Sequence, residues 1–562
     1  MFLDACRPSS RKKGRTIVIG AALLLAAVTV TSQSEIVVAT NAPYATQLAA
    51  SELNSFLKDV LGKELPVVGA RTKGRSSIML GGGSVENRDG FVIEATNGVV
   101  RIFGNDDDVP GGDVKKTCWY GDEAPWQPHF RRGTLFGVYE FLERYAGVRM
   151  YFPGELGTIV PRAARLTVPE GRFEKAPAFR YRKYGYKDGP ADDAVKLLNW
   201  YRLRMETETM KCVHGHRRLK LYERFGKTHP EYFANHHNRF VKEQVRRRGH
   251  LCHSSGVWEE IERDAMKYFA DGGTDTFDLM PQDGMTPVFR CNCPKCAAAY
   301  RKGRQYATDL VWRHTAEVAA HVKVKYPEAR FTQMAYHPYG AVPDFPLPDN
   351  INVTVARRGP WSLAFPTLER AESDEVRAWA AKLGRKVMLW NYAGKWANSV
   401  VRLPGVPQLA PRAWAAYYQS LADVIDGAFA ESESDRWSSN YLNYYVFSRV
   451  CWDPQVDVEA ILAEHHRLMF GPAAKPMAAF YDLLEKKWME SVQAGYAEIL
   501  MNVGLTTKHD AAEASRKIYT TAVVEELEAL LNKAACVSEG VFARRVNWMH
   551  SEYLEPLKRT YR

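Results

Sequence analysis

The chain has 562 residues, too many for one ordinary hydrophobic core, so two or three domains are expected. Hydrophobic residues make up 46% and charged residues 25%, which excludes a mainly disordered chain. The formal net charge of +11 is modest for this length and comes without a basic stripe interleaved with aromatic residues. The sequence therefore carries no nucleic-acid signature.

The first 33 residues have the pattern of an export signal. Basic residues precede an apolar run from Ile17 to Val30, and small and polar residues follow it. The run is short for a membrane span and has the length of a signal core. We expect a secreted or periplasmic protein with no membrane segment after removal of residues 1–33. An uncleaved N-terminal anchor is the alternative.

Residues 34–171 have the pattern of a small α/β domain. A strand at Glu35–Ala39 precedes an amphipathic helix at Ala45–Gly62, whose apolar residues recur at helical spacing. Strands at Gly90–Glu94 and Val99–Phe103 flank Asn97-Gly98, a pair that favours a tight hairpin turn. The other expected elements are strands at Leu65–Val68, Ser77–Leu80 and Arg149–Phe152 and a helix at Thr134–Tyr145.

Residues 172–440 predict a (β/α)8 TIM barrel, because short strands and helices alternate about eight times over about 250 residues. A doubly wound open sheet is the competing architecture, but the sequence has no Gly-rich phosphate loop. Residues 441–562 are expected to form a helical region packed on the barrel. The barrel strands are expected at Phe179–Tyr186, near Met210–His214, near or after Tyr232–Ala234, and at Thr276–Met280, Arg330–Tyr336, Asn352–Ala356, Lys386–Trp390 and Gly427–Ala430.

Polar and aromatic residues follow the expected strands at the point where each strand ends. In a barrel these ends share one edge, which is where active sites lie. The candidate catalytic carboxylates are Asp283 after the fourth strand, and Glu431 and Glu433 after the eighth. The candidate substrate-binding residues are Tyr186, His214, His216, Gln282, Tyr336, His337, Arg357, Trp390, Asn391 and Tyr392.

This mixture of residue types suits a sugar, because aromatic faces stack on a pyranose while polar side chains bond its hydroxyls. A glycosidase also needs two carboxyl groups across the scissile bond, one to donate a proton and one to act as base or nucleophile. We therefore expect carboxylate acid/base hydrolysis of an oligo- or polysaccharide. The alternative is a turn at Asp283-Gly284 and a solvated acidic loop at residues 431–435.

Cys291, Cys293 and Cys296 form the sharpest local pattern of the sequence. Three thiols within six residues suit a structural zinc site with Cys252 or His253 as fourth ligand. A disulfide with Cys252 is the alternative in an exported chain. Either bond would hold the loop after the candidate acid in place. No other cofactor and no catalytic metal is expected.

Several blocks of the sequence resemble the bacterial family called domain of unknown function 4838. The blocks are THPEYFA, LCHSSGVWEEIERDAMKYF and DTFDLMPQDGMTPVFRCNCPKC, with YFPGELGTIVP before the barrel and LNYYVFSRVCWDPQVDVEAILAEHHRLMFGPAA after it. The resemblance implies a glycoside-hydrolase-like barrel, export and a glycan substrate, since some members are similar to endo-β-N-acetylglucosaminidases. The first domain resembles the one that precedes the barrel in α-glucuronidases and β-hexosaminidases.

The chain departs from related enzymes that use the acetamido group of their substrate. Those enzymes carry two adjacent carboxylates after the fourth strand, whereas Asp283 is flanked by Gln282 and Gly284. Three alternatives follow: Gln282 orients the amide instead, a partner comes from another strand, or catalysis is lost. The competing functions are a non-catalytic glycan-binding protein and an α-glucuronidase-like enzyme, in which Arg357 or Arg358 pairs with a sugar carboxylate.

Overall fold

The computed structural model describes residues 26–108, 130–185, 193–208, 210–236, 249–273, 276–283, 285, 290–300, 306–394, 406–432, 437–501 and 516–561. The strands are β1 (Ala27–Thr31), β2 (Glu35–Val37), β3 (Val67–Val68), β4 (Ser77–Leu80), β5 (Phe91–Thr96), β6 (Val99–Gly104), β7 (Arg149–Met150), β8 (Thr158–Ile159), β9 (Arg165–Pro169), β10 (Gly171–Lys175), β11 (Tyr181–Tyr184), β12 (Thr276–Asp278), β13 (Arg330–Ala335), β14 (Ile351–Arg357), β15 (Val387–Gly394) and β16 (Ile425–Ser432).

The helices cover the second half of the chain more densely than the first. They are α1 (Tyr44–Leu61), α2 (Gly133–Tyr145), α3 (Asp193–Arg202), α4 (Gly215–Arg218), α5 (Leu221–Phe225), α6 (Val257–Ala270), α7 (Pro294–Ala299), α8 (Thr308–Lys325), α9 (Pro366–Leu383), α10 (Pro411–Ser420), α11 (Tyr441–Trp452), α12 (Val458–Phe470), α13 (Ala474–Met501), α14 (Thr521–Cys536), α15 (Gly540–Met549) and α16 (Glu555–Tyr561). Among the helices of the described residues, none combines the length and the apolarity needed to span a bilayer.

The first sheet has six strands in the order β10-β5-β6-β4-β2-β3. Asn97 and Gly98 join β5 to β6 with positive φ values of 49° and 74°, which is the backbone that a tight hairpin turn of this kind demands. The predicted hairpin is therefore confirmed. The predicted helix at residues 45–62 is α1, which buries Leu53, Leu57 and Val60.

Strand β1 lies inside the predicted export signal. It pairs antiparallel with β9 over all five residues, and its alternation buries Val28 and Val30 while Ala27 and Thr29 stay exposed. Removal of residues 1–33 would therefore take a paired strand and two core valines from the first domain. The boundary of the export signal stays a prediction.

The second sheet is a curled parallel sheet in the order β11-β16-β15-β14-β13-β12. Helices α8, α9 and α10 connect its later strands, as parallel pairing requires. Its six strands overlap the first and the fourth to eighth strands expected from the sequence, so the alternating strand-and-helix architecture is confirmed. Gly427 lets β16 approach β11 closely, because a Cβ at this position would lie 2.0 Å from the Tyr181 carbonyl oxygen.

Among the described residues of this region, the second and third expected barrel strands are not formed as regular strands. Residues 206–208 and 210–216 instead span the gap between the two outer strands of the curled sheet. The Glu206 N–H donates to the Arg182 carbonyl on β11, while the His216 N–H donates to the Met280 carbonyl just after β12. Phe233 makes only an isolated bridge with Leu251. Side-chain bonds replace the ladder in this gap, including one from the Val213 N–H to an Asp278 carboxylate oxygen, 2.6 Å.

A buried ion cluster joins the first domain to the helices that follow the curled sheet. Glu143 on α2 accepts hydrogen bonds from Arg449 on α11 at 2.6 and 2.7 Å, and it also pairs with Arg204. Burial alone would raise the pKa of Glu143, but the charges of Arg204 and Arg449 outweigh it and lower the pKa. The carboxylate therefore stays ionised in the interior, held by two guanidinium groups from distant parts of the chain.

We predict that β1 stabilises the first domain. A chain that begins at Ser34 loses the β1–β9 pairing and the burial of Val28 and Val30, each worth about 1.5–3 kcal/mol. We expect a lower thermal unfolding midpoint than for a chain that begins at Ala26, measured by calorimetry. Thr29→Ala, on the exposed side of the same strand, is the control and should leave the midpoint within about 1 °C. Equal midpoints for the two chains would contradict the prediction.

We also predict that acid destabilises the helical region through His465 and His466 on α12. Burial lowers the pKa of His466 to about 4, and it lowers the pKa of His465 well below its usual value. Because an unfolded histidine has a pKa of about 6.5, the unfolded chain binds protons between pH 6.5 and about 4 that the folded chain does not. Stability should therefore be complete above pH 6.5 and fall as the pH drops towards 4.

The measurement is the thermal midpoint from pH 7 to pH 4.5 in the wild type and in His466→Gln. The variant should show the shallower pH dependence. His321→Gln is the matched control, because the His321 side chain is 63% exposed. Identical slopes in the wild type and His466→Gln would refute the prediction.

Candidate active site

The carboxyl-terminal edge of the curled sheet, called the rim below, gathers part of the predicted site. Successive residues of a strand point to opposite faces. On β15 this places Trp390 and Tyr392 on the inner face, where Trp390 packs edge-on against Phe429 of β16 with ring centroids 4.5 Å apart. Two of the predicted aromatic residues therefore lie inside the curled sheet near its rim.

Tyr336 connects Asp283 to Tyr392. Its hydroxyl group shares side-chain hydrogen bonds with both residues. Burial, together with the charge of Asp283 and the hydrogen bond to it, raises the pKa of Tyr336 to about 12, as expected when the hydroxyl donates to a carboxylate. The Tyr336 hydroxyl is also hydrogen-bonded to the Tyr392 hydroxyl. The two hydroxyls therefore form a hydrogen-bonded chain that ends on Asp283.

Glu431 lies at the end of β16 and is only 2% exposed. Its Oε2 atom accepts a hydrogen bond from the Trp390 indole N–H at 2.8 Å, which fixes the orientation of the carboxylate. The charge of Glu431 acts on both Tyr336 and Tyr392, as does the charge of Asp283. Two carboxyl groups from opposite parts of the curled sheet therefore act on the same pair of tyrosines.

Asp283 and Glu431 differ in their exposure to water. Asp283 is exposed, whereas Glu431 is enclosed. A proton can reach Asp283 directly from solvent, while Glu431 lies in an environment where its charge acts over longer distances. The rim thus combines one solvent-exposed and one buried carboxyl group.

Gln282 and His214 bring further polar atoms to the rim. Among the described residues, neither the buried Gln282 Oε1 nor the buried His214 Nδ1 has a hydrogen-bond partner. Burial lowers the pKa of His214, although the charge of Asp283 opposes this effect. A neutral imidazole and a glutamine carbonyl are therefore available to bond hydroxyl or amide groups of a ligand.

His216 does not share the position of His214. Both histidines are predicted substrate-binding residues, but His214 has a φ of 49° and helix α4 begins at Gly215. This bend turns His216 into the interior, where it packs against Trp258 with ring centroids 5.2 Å apart. Burial lowers the pKa of His216 to about 3, so it is a neutral packed side chain rather than a residue of the rim.

Arg357 and Asn391 lie on the outer face of the sheet. Arg357 pairs with Glu375 of α9 at 2.5 Å, and Asn391 donates to the Tyr417 hydroxyl on α10 at 3.3 Å. The structure therefore does not bring these two residues to the inner face with Trp390 and Tyr392. His337 follows Tyr336 and lies perpendicular to Tyr306, with ring centroids 6.4 Å apart. Tyr186 and Glu433, also predicted, lie outside the described residues.

Two residues of this region were not singled out from the sequence. The Lys183 ammonium group lies 5.2 Å from the centroid of the Phe429 ring, and burial lowers the pKa of Lys183. Burial raises the pKa of Asp278 to about 7, although hydrogen bonds from the Met280 and Val213 N–H groups oppose this effect. A charged residue within an otherwise mostly apolar predicted strand is the signal that marks Asp278, whereas Lys183 stands among other basic residues and carries no such signal.

A cysteine cluster, made of Cys252, Cys291, Cys293 and Cys296, lies beside the loop after β12. Its four sulfur atoms lie within 4.8 Å of one another and can hold a metal ion. The Sγ–Sγ distances from Cys252 to Cys293 and Cys296 are 3.6 and 3.7 Å, well beyond a disulfide bond of about 2.0 Å. No disulfide is formed among the cysteines of the described residues.

Comparison with protein families assigns residues 152–482 to the domain of unknown function DUF4838. The chain belongs to this family. The match spans more than half of the chain and confirms the resemblance read from the sequence. No curated protein matches the chain.

The fold has counterparts among solved structures. A family GH115 4-O-methyl-α-glucuronidase with specificity for decorated arabinogalactans is similar to this DUF4838 chain with a TM-score of 0.52 and 11% identity, over 95% of this chain and 72% of that chain. This likeness shows a common fold with a (β/α)8-like sheet. The N-terminal domain is included in the similar region.

Two further solved structures are similar over most of the chain. The GH20 β-N-acetylhexosaminidase from Streptomyces coelicolor A3(2) has a TM-score of 0.43 and 11% identity, covering 81% of this chain and 93% of that chain. The Flavobacterium johnsoniae chitobiase has a TM-score of 0.42 and 10% identity, covering 95% and 90%.

We predict that Gly215 is required for the segment that carries His214 to pack against β12. A Cβ at Gly215 would lie 1.9 Å from the Asp278 carbonyl oxygen, so Gly215→Ala must push the segment away from β12. The expected loss of stability is about 1–3 kcal/mol, measured by chemical denaturation. Gly256→Ala is the control, because its nearest neighbour would lie at 3.8 Å, and it should change stability by less than about 0.5 kcal/mol. Equal effects of the two substitutions would contradict this placement.

Proposed function

We propose that this chain hydrolyses a glycosidic bond in an oligo- or polysaccharide, with Asp283 and Glu431 as the two carboxyl groups. The observation that carries the proposal is that Glu431 is hydrogen-bonded to Trp390 while Asp283 is hydrogen-bonded through Tyr336 to Tyr392, so both carboxyl groups lie beside the same pair of inner-face aromatic residues of β15. Glycoside hydrolysis needs two carboxyl groups placed across one bond.

The two carboxyl groups take different roles because their surroundings differ. Asp283 follows β12 and lies next to Gln282 in the chain, so we assign it as the acid that protonates the leaving oxygen and then as the base. Glu431 is enclosed and oriented by the Trp390 N–H, so it is the carboxylate that faces the developing positive charge of the sugar. Trp390 and Tyr392 provide aromatic surface for the ring of the sugar.

The proposed sugar is a β-linked N-acetylglucosamine. The carbonyl oxygen of Gln282, for which the described residues supply no hydrogen-bond partner, can accept a hydrogen bond from the N–H of an acetamido group beside Asp283. This role replaces the second carboxylate of the related enzymes, in agreement with the glycosidase resemblance of the family. Export of the chain, proposed from its N-terminal pattern, would bring it to such glycans outside the cytoplasm.

The α-glucuronidase-like alternative depends on Arg357 or Arg358 pairing with a sugar carboxylate, and neither arginine is free to do so. Arg357 pairs with Glu375, and Arg358 pairs with Glu372, so both guanidinium groups are already engaged with α9. The GH115 likeness concerns the fold, and we propose no uronide activity from it. Glycan binding without hydrolysis is the second candidate function, favoured by the single carboxyl group at residues 282–283.

The test is turnover of aryl β-N-acetylglucosaminides, aryl glucuronides and N-glycans by the wild type, Asp283→Asn and Glu431→Gln. Each substitution should lower kcat by about 10²–10⁴-fold, because each removes one acid/base group and keeps its shape. Glu328→Gln is the matched control and should retain full turnover, since Glu328 is 95% exposed and precedes β13 at the opposite edge of the sheet.

The outcomes separate the two candidate functions. Undiminished hydrolysis in both carboxylate variants would refute the assignment of Asp283 and Glu431. Glycan binding by calorimetry with no hydrolysis in the wild type would favour the non-catalytic candidate. A loss of N-acetylglucosaminide turnover in Gln282→Leu, with KM raised more than kcat is lowered, would support the role of Gln282 in binding the amide.

A further inference from the structure

The cysteine cluster has the size of a tetrahedral metal site. A zinc–sulfur bond of about 2.3 Å places the four sulfur atoms of a tetrahedron about 3.8 Å apart. The Sγ–Sγ distances from Cys252 to Cys293 and Cys296 are 3.6 and 3.7 Å, and all four sulfur atoms lie within 4.8 Å of one another. The backbone of two separate segments therefore already brings the four sulfur atoms to the spacing of four ligands of one ion.

We propose that the cysteine cluster binds one Zn²⁺ ion through four thiolates. Binding converts four thiols and one Zn²⁺ into one tetrathiolate complex with a net charge of −2 and releases four protons, without any oxidant or reductant. The reaction therefore needs only the metal ion and thiols that remain reduced.

The surrounding chain supplies donors that suit thiolate ligands. The Asn235 N–H donates to Cys291 Sγ at 3.3 Å, and the Cys296 N–H donates to Cys293 Sγ at 3.3 Å. The Ser254 hydroxyl lies 3.2 Å from Cys296 Sγ and can donate to it once this sulfur is ionised. Donors around the sulfur atoms orient the ligands and spread their negative charge, as in metal sites generally.

The arrangement favours a structural rather than a catalytic ion. Four protein ligands close the coordination shell and leave no position for water or substrate. Cys252, Cys291 and Cys296 are buried, and Cys293 is half-buried, so the site is shielded from solvent on most sides. The ion joins the segment that begins α6 to the segment that begins α7.

Two tyrosine residues connect the cysteine cluster to the residues beside Asp283. The Tyr300 hydroxyl donates to the Cys291 carbonyl at 3.0 Å, and the Tyr300 ring meets the Tyr306 ring edge-on with centroids 5.3 Å apart. The Tyr306 hydroxyl in turn donates to the Met285 carbonyl at 2.8 Å. We infer that the ion holds Tyr300, Tyr306 and Met285 in place and thereby positions Asp283. This second role rests on the proposed function, whereas zinc binding does not.

The experiment is metal analysis of the full chain, produced in a host without added chelator and purified without added metal. Mass spectrometry of the metals should find one zinc per chain in the wild type and less than about a tenth of that in Cys293→Ser, because three thiolates hold zinc far more weakly than four. Cys536→Ser is the matched control and should keep one zinc per chain, since Cys536 is exposed and lies at the end of α14.

A second measurement on the wild type does not depend on the folding of a variant. Cobalt exchanged for zinc should give the visible absorption of a tetrahedral thiolate complex. Zinc-free wild type with either four free thiols or two disulfides in the cluster would overturn the proposal. Iron in place of zinc, at one equivalent, would overturn the choice of ion.

The catalytic consequence has its own readout. Removal of zinc should lower both the thermal midpoint and the turnover of the wild type, and restored zinc should return both. If zinc is bound but Asp283→Asn and Glu431→Gln leave turnover unchanged, the proposed function fails while the metal site stands. If the carboxylate variants lose activity but no zinc is found, the metal site fails alone.

Discussion

The parallel direction of the six strands in the curled sheet is the constraint on which the candidate site depends. Parallel strands end at the same edge, so side chains that follow β12, β13, β15 and β16 meet at one rim. Asp283 and Glu431 are far apart in the sequence, yet both act on Tyr336 and Tyr392. An antiparallel order would have sent half of these residues to the opposite edge.

The same sheet is held against its neighbours by buried charges. Glu143 of α2 is bonded by Arg204, before the curled sheet's irregular segment, and by Arg449 of α11, after the sheet. Such a cluster costs desolvation energy and is weak evidence for net stability. Loss of one partner would leave an uncompensated charge in the interior, so the cluster disfavours other orientations of the first domain. Arg182 of β11 and Asp89 form a second buried pair at the same boundary.

The rim joins a rigid inner part to a part built from loops. Trp390 and Tyr392 lie on β15, and Glu431 lies on β16. Each of these two strands is hydrogen-bonded to a neighbouring strand on both sides. Asp283 follows the short strand β12. It is held by its hydrogen bond with Tyr336, and the nearby Met285 is held by the Tyr306 hydroxyl. Local sequence could predict this much only in part: it placed Asp283 and Glu431 at strand ends, but not the tyrosine hydroxyls between them. Those contacts join side chains from separate strands, which no local pattern records.

Local patterns by themselves determined the hairpin at Asn97-Gly98, helix α1, most of the parallel strands and the cysteine spacing, because each depends on neighbours within a few residues. The tertiary structure alone decided which strand residues face inward. Strands of a parallel sheet are covered on both faces, so their apolar runs do not show that Trp390 and Tyr392 point inward while Asn391 points outward. It also decided that Cys252 joins the other three cysteines, since the distance between two loops depends on the packing of the whole sheet and its helices.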